Sequence, residues 1–503
     1  MGSGGPVVNE ARASGIFRSF IFMATCFSIN HGTVTAVLGI ASAEFGTSLA
    51  SMSSGTLYLV YTFSALLVAP TLVASVGSKR ALVIGLGLYC AYVGSFLAAL
   101  LTGPPLRGVC AIIGATIGGF GGGLIWTAQG EYFTYAALAY ASAKGIETSQ
   151  ANATFSGVFA TFYLGFEVTM KLLSSLLLTY TPELFNGSGV DVDVNATEPT
   201  AVPTPAPTVD GFDSWAPTLS AGPTAFPTMA PTSTPQDAKV MVFLVFTVLA
   251  VASAFAMTLA PTMAAPPSNK SDASPEEEGH PSSSATTTAP SAFDKVTVAL
   301  RLLRDDPKCR LLAPFNIAFG FVSSFVTLYV NGTTVSDSLG SENVGYLTSI
   351  LVGAATLASV PLAEMNKATG GPASVIVLGG SCWALFALCF LISPLRAQLT
   401  TWATLVPLYI VYGMGRATWE GQFKAVWADF FPNDSKAAFA NVIMQSGLSS
   451  SIGFFAFGHL SAGTCGALAL FFIVFGVVSY FWARAIHKRE QAARLIGDYH
   501  AVN

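Results

Sequence analysis

Charge is what this sequence has least of. Asp, Glu, Lys and Arg make up 10% of its 503 residues, against about 25% in an ordinary soluble chain. A soluble protein of this length could not cover its surface with so few charges. The shortage argues against a soluble enzyme, a nucleic-acid binder and a disordered chain. Histidine is also scarce, at 5 residues, and cysteine stands at 7. Cys26, Cys90, Cys382 and Cys389 lie inside apolar runs, where a thiol behaves as a small hydrophobe. The odd count and the lack of metal-ligand spacing indicate neither a disulfide framework nor a zinc site, leaving open only a Cys110–Cys465 bridge near outer helix ends. No phosphate loop and no nucleophile–base arrangement occurs, so no metal, no cofactor, no nucleic acid and no enzymatic activity are expected.

What is present is apolar: 52% of the residues are hydrophobic. Twelve apolar stretches are long enough to cross a ~30 Å hydrocarbon core. They run over 16–41, 54–76, 80–101, 108–130, 152–177, 240–260, 311–331, 343–364, 373–393, 402–424, 437–458 and 465–486. The expected class is an all-α membrane protein with twelve transmembrane helices. Twelve crossings put both termini on one side. Of the 23 Lys and Arg residues, eighteen fall on that side and only Arg107, Lys239 and Arg396 fall opposite. The positive-inside rule therefore places both termini in the cytoplasm, of a plasma membrane or endomembrane protein.

Two segments, 181–238 and 261–292, hold sixteen of the 27 prolines. The first has seven Pro-Thr dipeptides and reads as an extended outer loop that cannot bury a core. It carries the glycosylation sequons of Asn186 and Asn195, and a third, Asn331, opens the outer loop after the seventh stretch. The second reads as a solvated cytoplasmic linker. The organisation is thus 1–180, an N-terminal half with five helices; 181–238, the outer loop; 239–260, the sixth helix; 261–310, the linker; 311–486, a C-terminal half; and 487–503, a cytoplasmic tail. In that tail Tyr499-His-Ala-Val502 fits a tyrosine-based sorting signal.

The halves repeat each other. Trp126 and Gln129 in the fourth stretch match Trp419 and Gln422 in the tenth at an offset of 293. Pro70 matches Pro361 at 291, and Ser156-Gly157 matches Ser446-Gly447 at 290. Offsets this close argue for two six-helix pseudo-repeats, an arrangement that places a pathway or binding site between the halves near the bilayer midplane.

Six plus six helices around a long central loop resemble the major facilitator superfamily. The glycine-rich run from Gly118 through Trp126 and Gln129 to Glu131 resembles the fourth helix of its uncoordinated-ninety-three-like members. Ala299-Leu-Arg301-Leu-Leu with Gly345-Tyr-Leu, and Tyr412-Gly-Met-Gly415 with Phe430-Phe-Pro432, resemble their second half. The resemblance implies a protein grouped with ion-channel regulatory proteins, whose known roles include regulating potassium channels and escorting other membrane proteins. It also implies that the first, fourth, seventh and tenth helices line a central cavity. The superfamily pattern between the second and third helices is incomplete: Ala74-Ser-Val-Gly77-Ser-Lys79-Arg80 keeps the glycine and bases and lacks the acid.

Ionisable groups inside a membrane are costly and mark candidate sites. Arg416, Glu420 and Lys424 stand at i, i+4 and i+8, on one helix face. They suit a pathway-facing site or a structural ion-pair ladder, with Lys424 as an interface anchor. Glu167 and Lys171 repeat the spacing in the fifth stretch; Lys171 can snorkel outward. Asn30 and His31 sit near the middle of the first stretch, either in the pathway or in packing. Trp126, Gln129, Trp419 and Gln422 suit a cavity wall for an amphipathic ligand, or aromatic packing with amides bonded between helices. The crowded glycines of the fourth stretch read as close helix packing or a bending point. Two functions fit: transport of a small solute or ion through a central cavity, or regulation or escort of another membrane protein without transport. The partners expected are the lipid bilayer, a small solute or ion, and on the second reading another membrane protein.

Overall fold

The computed structural model describes residues 9–186, 236–263 and 292–502. Asn195 lies outside them, and the side chains of Asn186, Tyr499 and Val502 likewise. Helices account for nearly all of the described chain, with no strand among the described residues. An uninterrupted helix satisfies every backbone N–H and C=O internally, which hydrocarbon requires.

The helices are α1 (Glu10–Phe45), α2 (Thr47–Val76), α3 (Ser78–Leu101), α4 (Leu106–Lys144), α5 (Thr148–Asn186) and α6 (Gln236–Thr258). After the undescribed segment come α7 (Ala292–Asp305), α8 (Pro307–Leu339), α9 (Ser341–Ala368), α10 (Ala373–Leu391), α11 (402–430), α12 (Ser435–Phe457) and α13 (Ala462–Val502). Among the described residues, ten of these are long and apolar enough to cross a membrane. The remaining two of the expected twelve, α11 and α12, are helical as well, and α11 carries Arg416, Glu420 and Lys424. Gly46 alone separates α1 from α2, at φ +82°, a left-handed turn that suits glycine.

Sequence reading missed α7, which falls inside the expected linker. Fourteen residues are too few to span. Its sequence alternates charge and apolar side chains at helical spacing, burying Ala299 and leaving Arg301 and Arg304 exposed. Asn441 Nδ2 in α12 donates to the Ala299 carbonyl at 2.8 Å and fixes α7 to the bundle.

The two halves meet most closely at the end where α1 turns into α2. Ser42 Oγ donates to the Thr327 carbonyl (2.6 Å), Ser451 Oγ to the Gly55 carbonyl (2.8 Å), and Ser51 Oγ to the Phe454 carbonyl. From α9, the Tyr346 N–H donates to Ser175 Oγ (3.0 Å) and Ser349 Oγ to the Val168 carbonyl (3.3 Å). We call this the closed end; the start of α1 and the end of α13 lie towards the other.

Asn331 belongs to this closed layer, and here the structure corrects the sequence. It does not open an outer loop. It sits inside α8, 1% exposed, in a π-helical segment, Val326–Val335. Its Nδ2 donates to the Gly39 carbonyl (3.2 Å) and its Oδ1 accepts from the Tyr409 hydroxyl. The folded bundle leaves no room for a glycan there. Asn331→Ala is expected to leave the electrophoretic mobility of the glycosylated protein unchanged and to destabilise it by about 1–3 kcal/mol, the cost of orphaning a buried hydrogen-bond partner. A mobility shift on substitution would overturn this assignment. The cysteines are all free thiols, so Cys110 and Cys465 are not bridged.

Candidate functional site

Glu167 stands near the middle of α5, and Arg416 near the middle of α11. Both face the boundary between the halves. Arg416 donates from both terminal nitrogens to the two oxygens of Glu167, each at 3.1 Å. Its Nε donates to Glu420 Oε1 at 3.0 Å, and Lys171 Nζ donates to Glu167 Oε1 at 2.7 Å. One carboxylate thus accepts from cations of both halves. The fork geometry of arginine makes the inter-half bond bidentate. A carboxylate placed in hydrocarbon is tolerated only with such partners.

The spacing predicted each ladder separately: Glu167 with Lys171, and Arg416 with Glu420. It did not predict that they meet, because the contact spans 249 positions. Side-chain exposure rises from 3% at Glu167 to 14% at Arg416 and 29% at Glu420. Burial of the network is thus deepest at Glu167 and lessens along α11 through Arg416 to Glu420. Glu420 lies in a π-helical turn, Thr418–Phe423, which adds a residue per turn and re-aims the side chains that follow.

The repeated tryptophans hold equivalent places. Trp126 lies edge-on to Phe27, His31 and Tyr163, at centroid distances of 5.0, 5.2 and 5.5 Å. Trp419 stacks on Phe319 at 3.5 Å, nearly parallel. Phe27 and Phe319 are themselves 292 positions apart, so the repeat extends to the partners. Trp419 Nε1 donates to Asn316 Oδ1 (3.0 Å), and Asn316 Nδ2 to Gln445 Oε1 (2.8 Å). No pattern in the sequence singles out Asn316. The amides of the pair diverge: Gln422 Oε1 accepts from Asn366 Nδ2, whereas Gln129 is buried without an equivalent bond among the described residues.

Asn30 and His31 part company. Asn30 is fully buried, and its Nδ2 donates to the Ala250 carbonyl (3.0 Å) and Ser253 Oγ (3.2 Å), tying α1 to α6. His31 turns to the site: its Nε2 is 3.3 Å from the Tyr163 hydroxyl. Tyr163, one turn before Glu167, links the aromatic wall to the charges; it was missed because a single tyrosine in an apolar helix has no distinguishing pattern.

The glycines of α4 are packing residues, as expected. A Cβ on Gly119 would fall 2.7 Å from the Leu57 carbonyl oxygen, and one on Gly123 would fall 2.5 Å from the Ala65 nitrogen. Two cavities lie elsewhere. An apolar cleft of about 360 Å³ runs between α2, α3 and α4 beside Ser64 and Phe120, and one of about 310 Å³ lies at the terminus end beside Lys308 and His487. None of the candidate residues lines either.

Comparison with known proteins agrees with this architecture. The family model described as "Ion channel regulatory protein UNC-93" matches residues 50–481. Protein unc-93 homolog A of Bos taurus is 25% identical over 452 residues, covering 89% of this chain and 87% of the relative. The Xenopus laevis protein of the same name is 23% identical over 456 residues, covering 90% and 88%. Among solved structures, the nucleoside transporter NupG superposes with a TM-score of 0.54 at 13% identity, covering 94% of this chain and 99% of that one. A D-xylose-proton symporter does so with a TM-score of 0.53 at 14% identity, covering 94% and 96%. At such identities these two likenesses concern the fold alone, and the fold is the two-half arrangement the repeat implied.

Proposed function

The chain belongs to the UNC-93 family of ion channel regulatory proteins and has the major facilitator fold, and on that premise we propose that it moves a small solute or ion through the interface between its halves. The observation that carries this reading is the Glu167–Arg416 pair. Buried charge is expensive and is retained where it does something. This pair joins the halves at mid-bundle, the closed end lies beyond it, and Glu420 is half-buried on the other side. Breaking and remaking such a bond is what rocking of one half against the other requires. Twelve crossings, cytoplasmic termini, glycans on Asn186 and Asn195, sorting through Tyr499 and Val502, and the absence of catalysis belong to the same proposal. The aromatic and amide residues Trp126, Gln129, Trp419 and Gln422, with His31, form its walls, and Asn30 holds α1 in place.

Uptake into proteoliposomes over a panel of potassium and small solutes tests it. Flux is expected, and Glu420→Gln is expected to reduce it about tenfold or more, the loss of one charged hydrogen bond at a working site. No flux for any member of the panel, with Glu420→Gln behaving as wild type, would sink the transport reading.

A second reading, regulation or escort of a membrane partner without transport, has its own observations: the family match and the missing acid between α2 and α3. Affinity purification from native membrane is then expected to recover a stoichiometric membrane protein. Recovery of the chain alone from intact membrane extracts counts against it.

A further inference from the structure

The site has one cation too many. Its carboxylates are Glu167 and Glu420; its cations are Lys171, Arg416 and Lys424. Lys171 and Arg416 are each within ion-pair distance of a carboxylate. Lys424 has none among the described residues. Its Nζ lies instead 4.5 Å over the ring of Trp419, which is 5% exposed.

That position is informative. A lysine so close to the end of a spanning helix ordinarily extends to the surface. Here the side chain folds back five residues, onto a buried indole and towards the middle of the bundle. Cation–π attraction offsets part of the desolvation cost and leaves the charge unbalanced. Lys424 is half-buried, and a single excess positive charge held over a buried indole calls for a single negative one. Trp419 also begins a hydrogen-bonded chain through Asn316 to Gln445, whose Nε2 is buried with no partner. An unused N–H donor at its far end matches an anion's surplus of acceptors. On the opposite half, Trp126 and Tyr163 offer an aromatic wall beside Glu167.

We propose that the interface takes a small organic monoanion, its carboxylate held at Lys424 and its apolar body against the Trp126 side. This rests on the transport reading of the same site and names the class of its substrate. An organic cation or a divalent metal ion has the wrong sign for it.

Three probes with the same ring and different charge separate the cases: indole-3-acetate, tryptamine and tryptophol. Their binding to the purified full-length protein in detergent is measured by calorimetry. Indole-3-acetate is expected to bind about tenfold or more tightly than either of the others, the worth of one charge-assisted hydrogen bond. Lys424→Gln is expected to remove that preference and Lys424→Arg to keep it, with size-exclusion profiles showing that both variants fold. Equal binding of the three probes, preference for tryptamine, no binding of indole-3-acetate, or a preference that survives in a folded Lys424→Gln variant would overturn the proposal. Lys424-dependent anion binding without flux would leave it standing and remove transport. Flux of a cation or neutral solute without anion binding would do the reverse.

Discussion

Glu167→Gln is expected to cost about 3–5 kcal/mol of stability, the usual penalty for removing one partner of a buried ion pair. Glu167 is 2% exposed and is the acceptor for both Lys171 and Arg416. Neutralising it leaves the buried Lys171 and the half-buried Arg416 with Glu420 as their remaining carboxylate. The variant is expected to lose monodispersity at a lower temperature than wild type on stepwise heating in detergent. Glu420→Gln, at a half-buried position whose side chain is 29% exposed, is expected to cost less, about 1 kcal/mol. Adding Lys171→Met to Glu167→Gln removes one of the two orphaned cations and is expected to recover part of the loss, a coupling that independent sites would not show. If the double variant is as unstable as the sum of the two singles, Glu167 and Lys171 do not act as a pair. The inter-half bond also predicts a conformational effect. With Glu167 neutral, crosslinking between cysteines placed at 42 and 327, positions joined by a hydrogen bond at the closed end, is expected to weaken.

Much of this architecture was legible in the sequence because a membrane makes patterns coarse. A helix that must span hydrocarbon is a long apolar run, and a run interrupted by Arg416, Glu420 or Glu167 advertises the interruption. The repeat of Trp126 and Trp419 was visible for the same reason, since a polar or aromatic mark on an apolar background stands out. What the sequence withheld was pairing over distance. That Glu167 accepts from Arg416 depends on how two helices cross. The π-helical segments Val326–Val335 and Thr418–Phe423 were equally hidden, because the insertion of one residue into a turn leaves no compositional trace. Asn331 shows the cost of reading a short motif without its context: the sequon is present, and burial inside α8 removes its meaning. Helix α7 was lost for a different reason, because a proline-rich linker beside it dominated the composition of its neighbourhood.

Gly123→Val is expected to cost about 3 kcal/mol or more, at the upper end of what overpacking a filled interior does. The first atom of the new side chain would fall 2.5 Å from the Ala65 nitrogen and 2.6 Å from Ser64 Oγ. The nitrogen is backbone and cannot rotate away, so α2 and α4 must separate. This is also where α2 carries its π-helical turn, Ser64–Val68, and where Ser64 Oγ donates to the Phe120 carbonyl at 3.1 Å. The glycine and the wide turn therefore fit each other, and widening the gap breaks that hydrogen bond too. Gly130→Ala, seven residues along the same helix, meets nothing within 4 Å and is expected to be neutral or stabilising by up to about 1 kcal/mol through helix propensity. The comparison contrasts a helical glycine of α4 at a close crossing with one in open space. Yield of folded protein and its heating profile in detergent measure both. Equal behaviour of the two variants would mean that α2 and α4 do not approach through Gly123, and the glycine-rich face would need another explanation.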